Sequence, residues 1–142
     1  MKRLLTLIGI GSLAGVALGY FLKWIQIISG EKVYVLLLNI DYMPLLGSWL
    51  TTEIAEFTLH VCVSIILVIV LYYSIKKLNL RQNLLIYILM NIVIGVLLWG
   101  TTTLSNRTPE FGDVTAFFYW LTGHALFGSI VGLLIKLVKT EG

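Results

Sequence analysis

The amino-acid sequence predicts an all-α polytopic membrane protein, a four-helix transmembrane bundle that occupies residues 1–142 as a single integral membrane domain. Composition is the first reason. Hydrophobic residues make up 58% of the chain and charged residues only 12%, with a mean hydropathy of +0.96, whereas a soluble domain carries about 25% charged residues. Length is the second. A hydrocarbon core of ~30 Å takes about 20 apolar residues per helix, and four such runs can be marked, approximately 4–28, 54–75, 84–104 and 114–138. The third is pattern: "VCVSIILVIVLYY" and "LLIYILMNIVIGVLLWG" are apolar all round, whereas soluble helices keep a polar face and barrel strands alternate.

The first span opens on Lys2 and Arg3 followed by an apolar run, as a signal peptide does. No small-x-small cleavage signal leading into a soluble domain follows, so the segment reads as a membrane helix. It carries Gly11, Gly15 and Gly19 at four-residue spacing, and the fourth span repeats the device with Gly128 and Gly132. Small residues so spaced let a second backbone approach closely. The partner is either another helix of the same chain or, from outside, a second copy in a homo-oligomer or a different membrane protein.

Residues 32–50, after the first span, are too many for a tight turn and too apolar for a free loop. Tyr34, Tyr42 and Trp49 have the amphipathic character of interface anchors, which predicts an interfacial or re-entrant segment broken near Pro44 and Gly47. The connection "SNRTPEFGD" before the fourth span reads as a turn from its Asn, Pro and Gly. Its Asn106-Arg107-Thr108 is formally a glycosylation acceptor, weakened by Pro109.

Orientation follows from the basic residues. Lys2 and Arg3 precede the first span, Lys76, Lys77 and Arg81 lie between the second and third, and Lys136 and Lys139 end the fourth. With an even number of spans these segments share one side, which the positive-inside rule makes cytoplasmic, placing both N and C termini there. The other two connections are acidic, with Glu31, Asp41, Glu53, Glu56, Glu110 and Asp113. The basic balance therefore answers to topology and to the lipid bilayer, including anionic lipid, and gives no indication of nucleic acid.

Polar residues inside the spans are the functional candidates. Glu53, Glu56, His60 and Ser64 fall on roughly one face of a helix. Acids in a first turn favour the helix macrodipole, so Glu53 and Glu56 read equally as a helix end or as a site. His60 lies seven residues beyond Glu53, ~10 Å along the helix, and can hydrogen-bond Glu56; such a pair is either structural or a proton-linked site. His124 lies eleven residues past Asp113, ~16 Å along, and shares a face with Gly128. Asn91, in the third span, comes to a similar depth, so an Asn91–His124 hydrogen bond is the structural alternative to a site.

Two histidines with a carboxylate are also a ligand set for zinc or another divalent cation. No HxxxH, HExxH or CxxC spacing supports one, and no cofactor motif is present. Cys62 stands alone within a span and builds neither a disulfide framework nor a thiolate site. No serine or cysteine nucleophile lies in a recognisable motif, and no glycine loop for phosphate occurs, so the sequence carries no enzyme signature.

The order "AGV" (Ala14–Val16), "KW" (Lys23–Trp24), His60 with Ser64 and Ile65, "TPEF" (Thr108–Phe111) and "GH" (Gly123–His124) resembles the YagU-like family of small bacterial inner-membrane proteins. The resemblance implies a bacterial cytoplasmic membrane and adds weight to His60 and His124; it implies no mechanism. The sequence thus leads to two expectations. One is a polar site of Glu56, His60, Asn91 and His124, with Glu53 and Asp113 as its acidic entrance, that handles or senses protons or a cation. The other is a structural or accessory subunit of a membrane complex, in which the same residues cap and tie helices.

Overall fold

The structure, a computed structural model, describes residues 1–41 and 52–138. It contains α1 (Lys2–Ser29), α2 (Val33–Leu38), α3 (Glu53–Lys77), α4 (Leu84–Trp99, continued by a 3-10 turn over Gly100–Leu104) and α5 (Val114–Leu137), with no strand among the described residues. All four long helices, counting α4 with its 3-10 turn, have the length and hydropathy to cross a membrane. Only 17% of the apolar stretch of α3, and 22% of that of α4, is buried within the protein. Side chains such as Ile66, Val70, Leu89 and Val93 remain exposed, and an apolar surface of this extent needs lipid around it.

Helix ends follow local chemistry. Thr52 caps α3 by accepting from the Ala55 N–H, Asn83 caps α4 through Leu85, and Asp113 caps α5 through Ala116 at 2.9 Å, each supplying an acceptor to an otherwise unpaired amide. Gly30 ends α1 at φ 81°, a left-handed conformation that costs glycine little.

The glycines set the packing. On α1, Gly11 meets the Ile65 backbone, Gly15 meets Ser64 and Gly19 meets the Phe57 ring, so α1 and α3 run antiparallel in close contact. On α5, Gly128 meets the backbone of Tyr87 and Ile88, and Gly132 meets Leu84 and Tyr87, which seats α4 antiparallel on α5. Both stripes are therefore used within the chain. Gly123 lets Leu18 and Leu22 of α1 pack on α5. Extensive packing runs in the order α3, α1, α5, α4. Helices α3 and α4, at the two ends of that order, face each other across a cavity instead of packing together. Lys2, Arg3, Lys76, Lys77, Arg81 and Lys136 fall at one end of the helices, here the basic end.

The opposite end is covered by α2, whose Val33, Tyr34, Leu36 and Leu38 are buried. Gln26 anchors it, its Oε1 accepting from the Tyr34 and Val35 amides. The interfacial or re-entrant segment expected over 32–50 is thus a short buried helix where it is described. Tyr42, Pro44, Gly47 and Trp49 lie outside the described residues. The turn before α5 is tied to the α2 side: Arg107 pairs with Asp41 at 2.9 Å, and the Ser105 hydroxyl donates to the same carboxylate.

Candidate functional site

A cavity of about 250 Å³ occupies the space between α3 and α4, floored by α1 and α5 and roofed by α2. Most of its wall is apolar, with Leu18, Leu36, Leu59, Leu67 and Phe127 among the contributors. Four of the six residues expected to form the polar site and its entrance line it together: Glu56, His60, Asn91 and His124. Ser64 joins them from α3 and Thr101 from the turn after α4.

The internal pairings differ from those the sequence suggested. His60 does not bond Glu56: its Nε2 lies 3.0 Å from the carbonyl oxygen of Gly15, which the glycine contact brings within reach. A carbonyl only accepts, so Nε2 carries the hydrogen and Nδ1 is left as an acceptor. Nor does His124 bond Asn91. His124 Nδ1 lies 3.0 Å from the Trp120 carbonyl one turn back, so by the same argument Nε2 is its free acceptor. The Asn91 amide nitrogen donates to the Tyr87 carbonyl at 2.8 Å, one turn back on its own helix. In all three residues a nearby main-chain carbonyl takes the donor that the sequence reading assigned to a side chain.

Asn91 is fully buried, and its Oδ1 has no hydrogen-bond partner. Asn39, just after α2, also lines the cavity and is buried with neither Oδ1 nor Nδ2 partnered. A buried unpaired amide oxygen costs about 1–3 kcal/mol, so these groups ask for an occupant. The cavity therefore presents a majority of acceptors: Asn91 Oδ1, one nitrogen of each imidazole and the Glu56 carboxylate.

Three contributors were not legible as site residues. Asn39 sits in a connection. Trp120 donates its indole N–H to the Gly95 carbonyl at 2.8 Å and packs against His124 with ring centroids 4.4 Å apart. Gly95 makes room for that imidazole, since a Cβ there would lie 2.8 Å from His124 Cγ. A glycine opposite a large ring, without a spaced partner, gives no pattern to read.

Glu53 and Asp113 stand apart from the cavity. Glu53 accepts from Lys23 at 2.6 Å and from the Tyr34 hydroxyl at 2.9 Å. Burial and this bond to Glu53 push the Tyr34 phenol well above its ordinary value. Lys23, Gln26, Tyr34, Glu53, Asp41 and Arg107 border a second, polar depression of about 620 Å³ beside α2. Glu56, Leu38 and Ile40 border both spaces, so this depression is a vestibule and Glu56 is the acidic residue shared with the cavity. Asp113 caps α5 and lies near Glu31, whose carboxyl is held above the usual range by lost hydration and then by Asp113.

Among the described residues no three His, Cys, Asp or Glu side chains gather closely enough to hold a metal ion. Cys62 is exposed, away from the site. No family model, no curated protein and no solved structure matches this chain, so the resemblance to the YagU-like family rests on its short motifs.

Proposed function

We propose that this is an integral protein of a bacterial cytoplasmic membrane, with both termini cytoplasmic, that senses or handles protons at the cavity between α3 and α4. The observation that carries the reading is that both histidines of the chain line one cavity whose third titratable member, Glu56, also borders the polar vestibule. Glu56 and His60 come from α3 and His124 from α5; α1, α2 and α4 contribute no titratable side chain to the wall. A proton reaching Glu56 from the vestibule has two imidazole acceptors available deeper in. Protonating either one would turn an acceptor into a donor and change what the cavity can bind. The clustering of the basic residues at the opposite end supports the orientation.

The accessory-subunit reading loses support from the glycines, because Gly11, Gly15, Gly19, Gly128 and Gly132 are all occupied by helices of the same chain. A homo-oligomer or a partner would have to use another surface.

The test is imidazole ¹⁵N NMR of the purified protein in nanodiscs across pH 5 to 8, with and without Glu56→Gln. At least one histidine should pass from a single neutral tautomer to imidazolium, with a midpoint that moves when Glu56 is replaced. Two histidines that remain neutral and indifferent to Glu56→Gln would return them to a purely structural role.

A further inference from the structure

We infer that the cavity binds a membrane-dissolved amphiphile with a neutral hydroxyl head, which enters sideways from the lipid between α3 and α4. The inference rests on the cavity reading above and adds the ligand and its route. The cavity opens within the membrane. Val63 of α3 and Leu98 at the end of α4 both line it, yet are 54% and 42% exposed. Val63 lies ten residues into its helix, ~15 Å from the end, and Leu98 six residues short of the end of the apolar span Leu84–Leu104, depths that hydrocarbon covers when these helices cross a bilayer.

The lining selects the ligand. A hydrated ion would gain little from walls that are mainly leucine, valine and phenylalanine. An alkyl chain alone would leave Asn91 Oδ1 and both polar atoms of Asn39 unpaired. A hydroxyl donates one hydrogen bond and accepts others, so it can give to Asn91 Oδ1 or a free imidazole nitrogen and receive from Asn39 Nδ2. A cavity of about 250 Å³ is smaller than the ~300–1,000 Å³ of drug-sized pockets. It takes the head and near part of such a molecule, leaving the tail between the helices in lipid.

The experiment uses the full chain in nanodiscs and a photoreactive long-chain alcohol carrying a diazirine near its hydroxyl, with adducts mapped by mass spectrometry. Labelling should concentrate on peptides containing Val63, Asn91 and Leu98 and be displaced saturably by 1-dodecanol. Asn91→Leu should reduce it up to ~10-fold, the order of one lost buried hydrogen bond. Val63→Trp, which keeps every polar group and narrows the mouth, should also reduce it. Diffuse or unsaturable labelling would overturn the inference. So would equal labelling by the matching diazirine alkane, or displacement by dodecylammonium in preference to 1-dodecanol. Failure here with histidines that still titrate would sink only the ligand and its route. Specific labelling with silent histidines would sink only the proton reading.

Discussion

His60 and Gly15 are 45 residues apart in sequence, and the imidazole Nε2 of one donates to the carbonyl of the other at 3.0 Å. The bond exists because α1 and α3 touch at a glycine. A Cβ at position 15 would lie 2.7 Å from both Cβ and Oγ of Ser64. Gly15→Ala should therefore separate the helices, cost about 1–3 kcal/mol as overpacking does, and shift the His60 ring nitrogens. Reversible unfolding in mixed micelles, together with the ¹⁵N spectrum, checks both parts. An unchanged His60 signal would show that the helices do not meet there.

Position 95 provides the same test on the other pair. Gly95→Ala places a methyl 2.8 Å from His124 Cγ, which should cost about 1–3 kcal/mol and alter the His124 resonance while sparing His60. At Gly9 an added Cβ would meet nothing within 4 Å. Gly9→Ala should stay within ~1 kcal/mol of the parent, on the stabilising side, because alanine is the better helix former. Equal losses at the two positions would contradict the packing described.

Asn91→Leu should raise the stability of the ligand-free protein by about 1 kcal/mol, because it removes a buried oxygen that has no partner. Its amide bonds only a helix carbonyl on the same helix. Stability gained at a residue that lines a cavity is the expected trade between function and folding. A loss above ~2 kcal/mol would mean that Asn91 Oδ1 is satisfied in the protein as it sits in the membrane.

Glu31 contributes a pH dependence at the covered end. Its carboxyl is shifted up by lost hydration and by Asp113, so the folded state favours the protonated form. That contribution is complete below the ordinary value of 4.5 and is lost as pH rises through the higher folded value. Glu31→Gln should flatten this fall and add a little stability at neutral pH, under ~1 kcal/mol for a half-buried pair still screened by water. Thermal melts from pH 4 to 7.5 measure it; a parent and variant with parallel profiles would rule the coupling out.

The spans were legible because lipid imposes length and uniform apolarity, and the helices match the expected limits to within a few residues. Glu56, His60, Asn91 and His124 were legible for the complementary reason, that polar side chains stand out against leucine and isoleucine. Their partners were not. Which acceptor a histidine finds depends on helix rotation and on the nearest carbonyl, and main-chain oxygens carry no sequence signal. Asn39 escaped because a connection conceals depth, and Gly95 because its role is visible only once the ring opposite is placed. Glu53 and Asp113 look like members of the same acidic group in sequence, yet one pairs with Lys23 and the other caps α5.

The packing order α3, α1, α5, α4 has a consequence for biogenesis. Each half of the chain is an antiparallel hairpin of neighbouring helices, α1 with α3 and α4 with α5, and the halves are joined mainly along α1 and α5, with further contacts through α2. The first hairpin can enter the bilayer and close its glycine contacts while the second is still being synthesised. Residues 78–83 then act as a tether, so two polypeptides divided there and made in the same cell should insert separately and find each other.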